Sequence, residues 1–574
     1  MAFAPDTDPL AGAARLPWLS AYGTVPSTLV YPRGALADAV LAAAARRPNA
    51  PALTYFGAVT SYRQLRDAIE ACASALSAVG LRSGDRLTIA LPTCPQGVIA
   101  FYAANRLGAV AVMVHPLCPA PEIADYIRAS RSRVALTLEL CYPKFAAELA
   151  EHRLDALVLT RMADPLGPLA RLAYRVARMH SAPRIPRDAA IHWWRPLLAA
   201  RRAPAAQTDA GPETLAAIFF SGGTTGAPKG VMLSNRNLVA EGLQAAAWVG
   251  LGEGDRMLAA LPIFHGVGLG LCINAVLLSG GAAILVPTFT AESVAQAIRK
   301  WQPTLMVGVP TMYDALARED TLAGAKLTSL RAAFSGADGL PRPIKDRFEQ
   351  AVARLGGAVT LVEGYGLTEA VTAIMAMPLG EYREGSVGVP FPDMRAAIFR
   401  PGTADELPDE AEGEICISGP AVMLGYLDDP AATAETLRRH ADGRIWLHTG
   451  DLGRRDRDGF FYFTVRHKRM IKSSGFNVYP GQVEEVLYRH PAVAEACVIG
   501  IPDASQGERV VACVVLRGGI EGGAAVEGEL IAFCRERLIK WSCPRAVHFR
   551  QELPKTRLAK VDYRAVVREL VHDG

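Results

Sequence analysis

No Cys-x-x-Cys pair occurs among the ten cysteines, and they are scattered along the chain. The opening MAFAPDTDPL carries two aspartates and no basic residue, so it does not look like a secretory leader. Together these point to free thiols in a reducing cytoplasm rather than a disulfide framework. His115 and Cys118 stand three apart in VHPLCP, but two ligands without partners elsewhere make a poor metal site. Net charge is also scarce: +4 on 574 residues is nearly balanced, and gives no argument for a nucleic-acid partner. Internal repeats and low-complexity tracts are lacking as well. One stretch, 266–286, has no charge over a length that could cross a bilayer. Its five glycines, including the pair Gly280-Gly281, favour a buried helix, a turn and a buried strand, so the expectation is a soluble or at most peripheral protein.

What the chain does contain is the composition of a folded globular protein, half apolar and about one-fifth charged, at a length that calls for two or more domains. From residue 36 to about 160, helix-period segments such as LADAVLAAAARR and SYRQLRDAIEACASALSAVGL, the latter with Ser61 as N-cap, alternate with apolar runs (DRLTIALP, AVMVHP, RVALTLEL, LDALVLT). The rhythm returns in 256–365 with RMLAALPI, AAILVP, TLMVGVP and AVTLVEGYG. Continuous rather than alternating apolar runs fit parallel strands covered on both faces, so most of the chain reads as α/β. Beyond 385 turn-rich strand sequence takes over (MRAAIFR, GEICISGP, GFFYFTV), and after about 466 a compact α+β unit follows. A boundary near Val465 divides the chain into 1–465 and 466–574.

Segment 161–202 stands apart, with nine arginines against two aspartates and the pair Trp193-Trp194. Arg171, Arg175 and Arg178 fall at helical spacing on one face. A solvated face is the ordinary meaning; the sharper one is a surface resting on anionic lipid with the tryptophans at the interface.

The stretch 221–230, SGGTTGAPKG, combines four glycines, two threonines and a lysine with no acid. Backbone amides and hydroxyls of Ser221, Gly222, Gly223, Thr224, Thr225 and Gly226 can wrap an oxyanion, and Lys229 can neutralise it. The alternative is a plain glycine-rich turn between a strand and a helix. The loop follows the strand-like LAAIFF and precedes VMLSNRNLVAEGL, which reads as a turn and helix. It is not a Walker loop, because proline precedes Lys229 and glycine follows it.

SGGTTGAPKG resembles the phosphate loop of the adenylate-forming superfamily, which includes acyl-CoA synthetases, peptide-synthetase adenylation domains and luciferases. LPIFHGVGL (261–269), EGYGLTEA (363–370), WLHTGDLG (446–453), RHKRMIKSSGFNVYP (466–480) and LPKTRLAK (553–560) agree with it in order and approximate spacing. The opening LPWLSAYGTVPSTLVYP, the insert ending in Trp-Trp, and GFNVYP lean toward the long-chain fatty acyl-CoA synthetase branch. The resemblance implies a large N-terminal domain of parallel sheets sandwiched by helices, a β-rich subdomain and a small mobile α+β C-terminal domain. It also implies ATP-dependent activation of a medium- to long-chain fatty acid to acyl-AMP, then transfer to CoA.

That chemistry joins two anions, so positive charge and oriented dipoles are its main need. The resemblance puts Thr224, Thr225 and Lys229 on the β- and γ-phosphates, Thr368 at the α-phosphate, and Glu369 on Mg²⁺, a cation that prefers hard oxygen ligands. Tyr365 would stack on adenine within the 363–366 turn (Glu363, Gly364, Tyr365, Gly366), against the backbone wall Ser335, Gly336 and Ala337. Asp451 would accept from both ribose hydroxyls, with Arg466 beside it. Lys560 would bring full charge to the reacting carboxylate and α-phosphate. His265 would orient the acid, a core histidine being the competing reading, and the neighbouring glycines 266, 268 and 270 would leave room for a long acyl tunnel. Gly475 would line the path of the incoming thiol.

Three positions depart from the pattern. Val465 stands where a polar hinge residue is usual, Arg469 where an acid is usual, and Ala559 where glycine precedes the lysine. A β-branched hinge is stiffer, which bears on the thiol half-reaction more than on adenylation. A carrier-protein phosphopantetheine as acceptor, an aryl or ring acid as substrate, and a non-catalytic acyl- or nucleotide-binding relative are the alternatives. The expected location is the cytoplasm, with peripheral contact at the inner face of a membrane through 161–202.

Overall fold

The computed structural model describes residues 16–179, 181–200, 208–221, 228–318, 321–336, 339–466, 469–473, 476–503, 507–538, 540–556 and 561–572. Four sheets organise them. The first runs Gly425–Tyr426, Lys229–Ser234, Leu215–Ser221, Val110–Met113, Arg86–Ala90, Val134–Leu138, Ala156–Thr160, Ile191–Trp193, and is parallel from Leu215–Ser221 outward. The second has a parallel centre of Leu361–Gly366, Ala332–Ser335, Leu305–Gly308, Arg256–Ala259, Ala282–Leu285 and Pro51–Tyr55, with antiparallel strands at both edges. These are the continuous apolar runs, and their side chains are buried on both faces.

Helices fill the space between the sheets. Pro95–Arg106 buries 11 of its 12 residues and Asn235–Trp248 buries 11 of 14, so each is a core helix rather than a surface one. Ser61 caps the Tyr62–Ala78 helix by accepting from the Gln64 N–H, in a capping box. The uncharged run 266–286 becomes a buried helix, a turn at Gly280 and the strand Ala282–Leu285. Its helical part is π-wound over Val267–Ala275, a form frequent at functional sites.

A third, antiparallel sheet is built from Arg395–Phe399, Gly413–Ser418, Ile445–Arg455, Leu437–Arg439 and Phe461–Arg466. The next strand, Ile471–Ser473, joins a fourth sheet with Phe476–Val478, Gly507–Leu516, Val493–Asp503 and Ala546–Arg550, covered by the Pro480–Tyr488 and Ala524–Arg535 helices. The α/β class, the β-rich subdomain and the smaller α+β C-terminal unit are therefore present.

Two expectations need correction. The glycine-rich loop does not join a strand to a helix. VMLS continues the strand Lys229–Ser234, antiparallel to Leu215–Ser221 with Ser221 opposite Lys229, and the helix begins only at Asn235. The helix that follows in sequence therefore does not start from that loop. The two tryptophans, moreover, do not share one surface. Trp194 is 6% exposed in the core, and Trp193 sits in an edge strand with the Arg161 guanidinium 4.1 Å from its ring centroid.

Candidate active site

A cavity of about 780 Å³ opens where the two large sheets and the antiparallel sheet meet. One end is polar and the other is an apolar arm. Ser221 and Lys229 reach the polar end from the two sides of the glycine-rich loop. Lys229 Nζ lies 4.7 Å from the centroid of the Tyr426 ring, and the Tyr426 hydroxyl donates to Glu369 Oε1 at 2.9 Å. Burial, and then the Glu369 charge, push the Tyr426 phenol well above its ordinary range, so it stays a donor. A cation, an aromatic ring and a carboxylate thus stand in one row beside the loop. Thr368 lies on the same short 3₁₀ turn as Glu369, and both line the cavity.

That turn is held in a strained backbone. Val371 has φ +65 and ψ −66, and the Thr372 N–H donates to Ala370 O at 2.8 Å, which is a γ-turn centred on a β-branched residue. Such a conformation costs about 1–3 kcal/mol and persists only where surrounding packing enforces it. Gly366 shows that packing: a Cβ there would lie 1.5 Å from Thr372 O.

Ser335, Gly336, Gly364, Tyr365 and Gly366 wall the cavity next to this turn, at the ends of two neighbouring parallel strands. The Tyr365 hydroxyl donates to Asp451 Oδ2 at 2.7 Å, and Asp451 is 2% exposed. One of the two oxygens expected to take ribose hydroxyls therefore already has a protein partner. Thr449, Gly450 and Leu452, on either side of Asp451, reach the cavity wall. Arg466 lies opposite Asp451 in the strand pairing. Glu363 is on the same strand as Tyr365 but is not among the described residues that wall the cavity. Burial raises its carboxyl to about 7 against the opposing pull of Lys345.

His265 lines the cavity where the polar end passes into the arm, and the Val267 N–H approaches its Nδ1 at 3.4 Å. Beyond it Val267, Leu271 and Ala275 project inward from the π-wound segment, facing Trp248, Val307 and Phe391. The glycines beside them do not make this space. A Cβ on Gly266 would meet Val371 O at 1.9 Å, on Gly268 Pro262 O at 2.0 Å, and on Gly270 Glu241 Oε2 at 2.5 Å. They let the segment press against its neighbours on the other side, so the reading that they leave a tunnel open is overturned.

Sequence reasoning also missed a support under the Asp451 loop. Glu414 Oε1 accepts from the Gly450 N–H at 2.9 Å, and Oε2 is 2.9 Å from His448 Nδ1. His440 Nε2 lies 3.0 Å from His448 Nε2 behind it. Burial alone would raise the Glu414 carboxyl, but His448 and the Gly450 amide hold it below the usual carboxylate range. Tyr426 and Glu414 sit in GYLDD and GEI, each far in sequence from its partner, and no local spacing marked them.

Gly222, Gly223, Thr224, Thr225, Gly226, Ala337, Gly475 and Lys560 lie outside the described residues, as does the side chain of Arg466. Among the three departures, Arg469 pairs with Glu484 and lies 5.2 Å over the Tyr563 ring, Val465 pairs with Leu452 through the backbone, and Ala559 is not described.

The AMP-binding enzyme profile matches residues 40–427, and the AMP-binding enzyme C-terminal domain matches residues 482–560. The chain belongs to the AMP-binding enzyme family. It is 36% identical over 561 residues to a long-chain-fatty-acid–CoA ligase of Bacillus subtilis (strain 168), covering 96% of this chain and 98% of that one. It is 33% identical over 520 residues to a feruloyl-CoA synthase of Amycolatopsis sp, covering 90% of this chain and 94% of the relative. ATP-bound MatB from Rhodopseudomonas palustris superposes with a TM-score of 0.78 at 26% identity, covering 93% of this chain and 98% of that chain. No helix among the described residues is long and apolar enough to cross a membrane.

Proposed function

We propose that the protein is an ATP-dependent fatty acid–CoA ligase that forms AMP. The observation that carries this is the single cavity in which a polar end with Lys229, Thr368 and Glu369 continues past His265 into an apolar arm. Its volume of about 780 Å³ falls in the upper part of the range for ligand pockets, roughly 300–1,000 Å³.

In the first half-reaction a carboxylate oxygen of the acid bonds to the α-phosphorus of ATP, and pyrophosphate leaves. Lys229, with the amides and hydroxyls of 222–226, holds the β- and γ-phosphates. Thr368 donates to the α-phosphate, and Ser335, Gly336 and the 364–366 turn hold the adenine. Glu369, kept in place by Tyr426, is the carboxylate that would hold Mg²⁺. Its donor set fits, since that ion is usually bound by one or two carboxylates together with substrate phosphates. Once bound, the ion neutralises phosphate charge. Asp451, on the loop tied to Glu414, takes the ribose, with Arg466 beside it. His265 orients the acid between the two ends. Lys560 brings its charge to the reacting oxygen when the 466–574 unit closes on the 1–465 unit. In the second half-reaction a thiol sulfur bonds to the acyl carbon, AMP departs with the bridging oxygen, and Gly475 lines the thiol's path.

CoA is the thiol. A carrier-protein phosphopantetheine is the alternative acceptor, and an aryl or ring acid the alternative substrate. Peripheral contact with anionic lipid through 161–202 belongs to the Pro168–Arg178 helix and is independent of this chemistry.

Incubation with ATP, Mg²⁺ and a panel of fatty and aryl acids, with and without CoA, tests the reading by product mass. Acyl-AMP and pyrophosphate without CoA, and fatty acyl-CoA with it, are expected. Acyl-AMP that never becomes thioester would move the assignment to a carrier-protein acceptor, and no adenylate from any acid would overturn it.

A further inference from the structure

The Pro168–Arg178 helix lies on the protein with its polar side inward. A surface helix ordinarily buries its apolar stripe. Here Arg171 and Tyr174 are the half-buried residues and the other nine are exposed. The Arg171 guanidinium donates to Leu166 O at 2.6 Å, and the Tyr174 hydroxyl bonds to the buried Glu139 beneath. At about 100° per residue, Leu169, Leu172, Val176 and Met179 fall within roughly 80° of arc centred opposite Tyr174. Their exposures are 82%, 58%, 62% and 67%. The apolar stripe therefore points straight away from the protein.

Its surroundings are cationic. Residues 165–187 contain five arginines and no aspartate or glutamate. Arg175 lies about 40° beyond one edge of the stripe, Arg178 further round on the same side, and Arg184 and Arg187 follow the helix, all four exposed. Phe56, 66% exposed at the tip of a hairpin, extends the same corner, because the neighbouring Tyr55 hydroxyl donates to Met162 O at 3.0 Å. The helix follows the parallel strand Ala156–Thr160, so it leaves the first sheet from the end at which Leu215–Ser221 delivers Ser221 to the cavity.

We propose that this helix docks the protein on an anionic lipid bilayer. It lies in the headgroup plane, its four apolar side chains in the acyl boundary and its arginines on lipid phosphates. A second copy of the chain is the poorer occupant: a two-fold contact through this stripe would set one arginine cluster against an identical one. Docking of this kind suits an enzyme whose substrate is stored in membranes, although it does not depend on the ligase reading.

The test is co-sedimentation of the full chain with vesicles of phosphatidylglycerol and phosphatidylcholine in about equal parts, and with phosphatidylcholine alone. Binding to the anionic vesicles only, weakened by salt, is expected. Leu172→Glu with Val176→Glu should weaken it at least about tenfold, and Arg175→Gln with Arg178→Gln about fivefold per arginine. Turnover of a water-soluble medium-chain acid should be unchanged in both variants, so failure of docking and failure of the ligase reading are distinguishable. Failure of the unaltered protein to bind, equal binding to neutral vesicles, or undiminished binding by the variants would overturn the proposal. So would a dimer that Leu172→Glu dissociates with no vesicle binding in the unaltered protein.

Discussion

Narrowing the apolar arm at Ala275 should shorten the acid the enzyme accepts. Ala275 is 1% exposed and ends the π-wound segment that begins just after His265. From residue 265 to 275 the segment advances somewhat less than the roughly 15 Å of an α-helix of that length, because π winding is wider and flatter, so a short acid held at His265 ends before it. Ala275 itself lines the cavity, so the open space beside its side chain is the arm. The ring of Ala275→Phe must then enter the arm. Each methylene denied burial costs about 0.8 kcal/mol, and a phenyl displacing about three of them costs about 2.4 kcal/mol, or a roughly 60-fold lower kcat/KM. The assay is acyl-CoA formation from hexanoate and hexadecanoate side by side. The prediction is that large drop for hexadecanoate and less than about twofold change for hexanoate. A ring forced into the protein instead would lower stability by about 1–3 kcal/mol and affect both acids alike. Equal losses, or none, would refute the assignment of the arm to the acyl chain.

Glu414→Gln should loosen the loop carrying Asp451, raising KM for ATP about tenfold or more while kcat is largely spared, since a hydrogen bond to a charged group contributes about 1.5–3 kcal/mol. Because the folded-state pKa of Glu414 is depressed, its contribution to stability is present above the unfolded value and lost as pH falls through the folded one. The stability gap between the unaltered protein and this variant should therefore close in acid, below about pH 4.5. Glu363 works the other way: its carboxyl is raised to about 7, so its burial increasingly destabilises the fold as pH rises from its unfolded value toward 7. Glu363→Gln should raise the melting temperature at pH 8 relative to pH 5, and an unchanged difference would remove Glu363 as the cause. Lys560→Ala should abolish adenylate formation and spare thioester formation from supplied acyl-AMP; equal loss in both half-reactions would contradict the domain-swing mechanism.

The parallel sheets were legible because strands buried on both faces must be apolar at every position, as in ALVLT and LMVG. The strand Lys229–Ser234 was not, because KGVMLS mixes a cationic start with a helix-capping end and reads equally well as a turn. Composition showed glycines at 266, 268 and 270, but a missing Cβ marks close approach and open space alike, and only coordinates distinguish them. The helical period placed Arg171, Arg175 and Arg178 on one face without telling which face meets the protein. Tyr426 with Glu369, and Glu414 with His448, are partners across 57 and 34 residues, and single-sequence spacing carries no signal for such pairs.

Central to the proposed reaction is direct bonding between the acid's oxygen and the α-phosphorus, in the cavity shared by Lys229 and the apolar arm. Hexadecanoate labelled with ¹⁸O in both carboxyl oxygens, turned over with ATP, Mg²⁺ and CoA, reports that bond. One label is expected in the phosphate of AMP and the other in the thioester, with unlabelled pyrophosphate. Label in inorganic phosphate alongside ADP, or AMP without label, would contradict it.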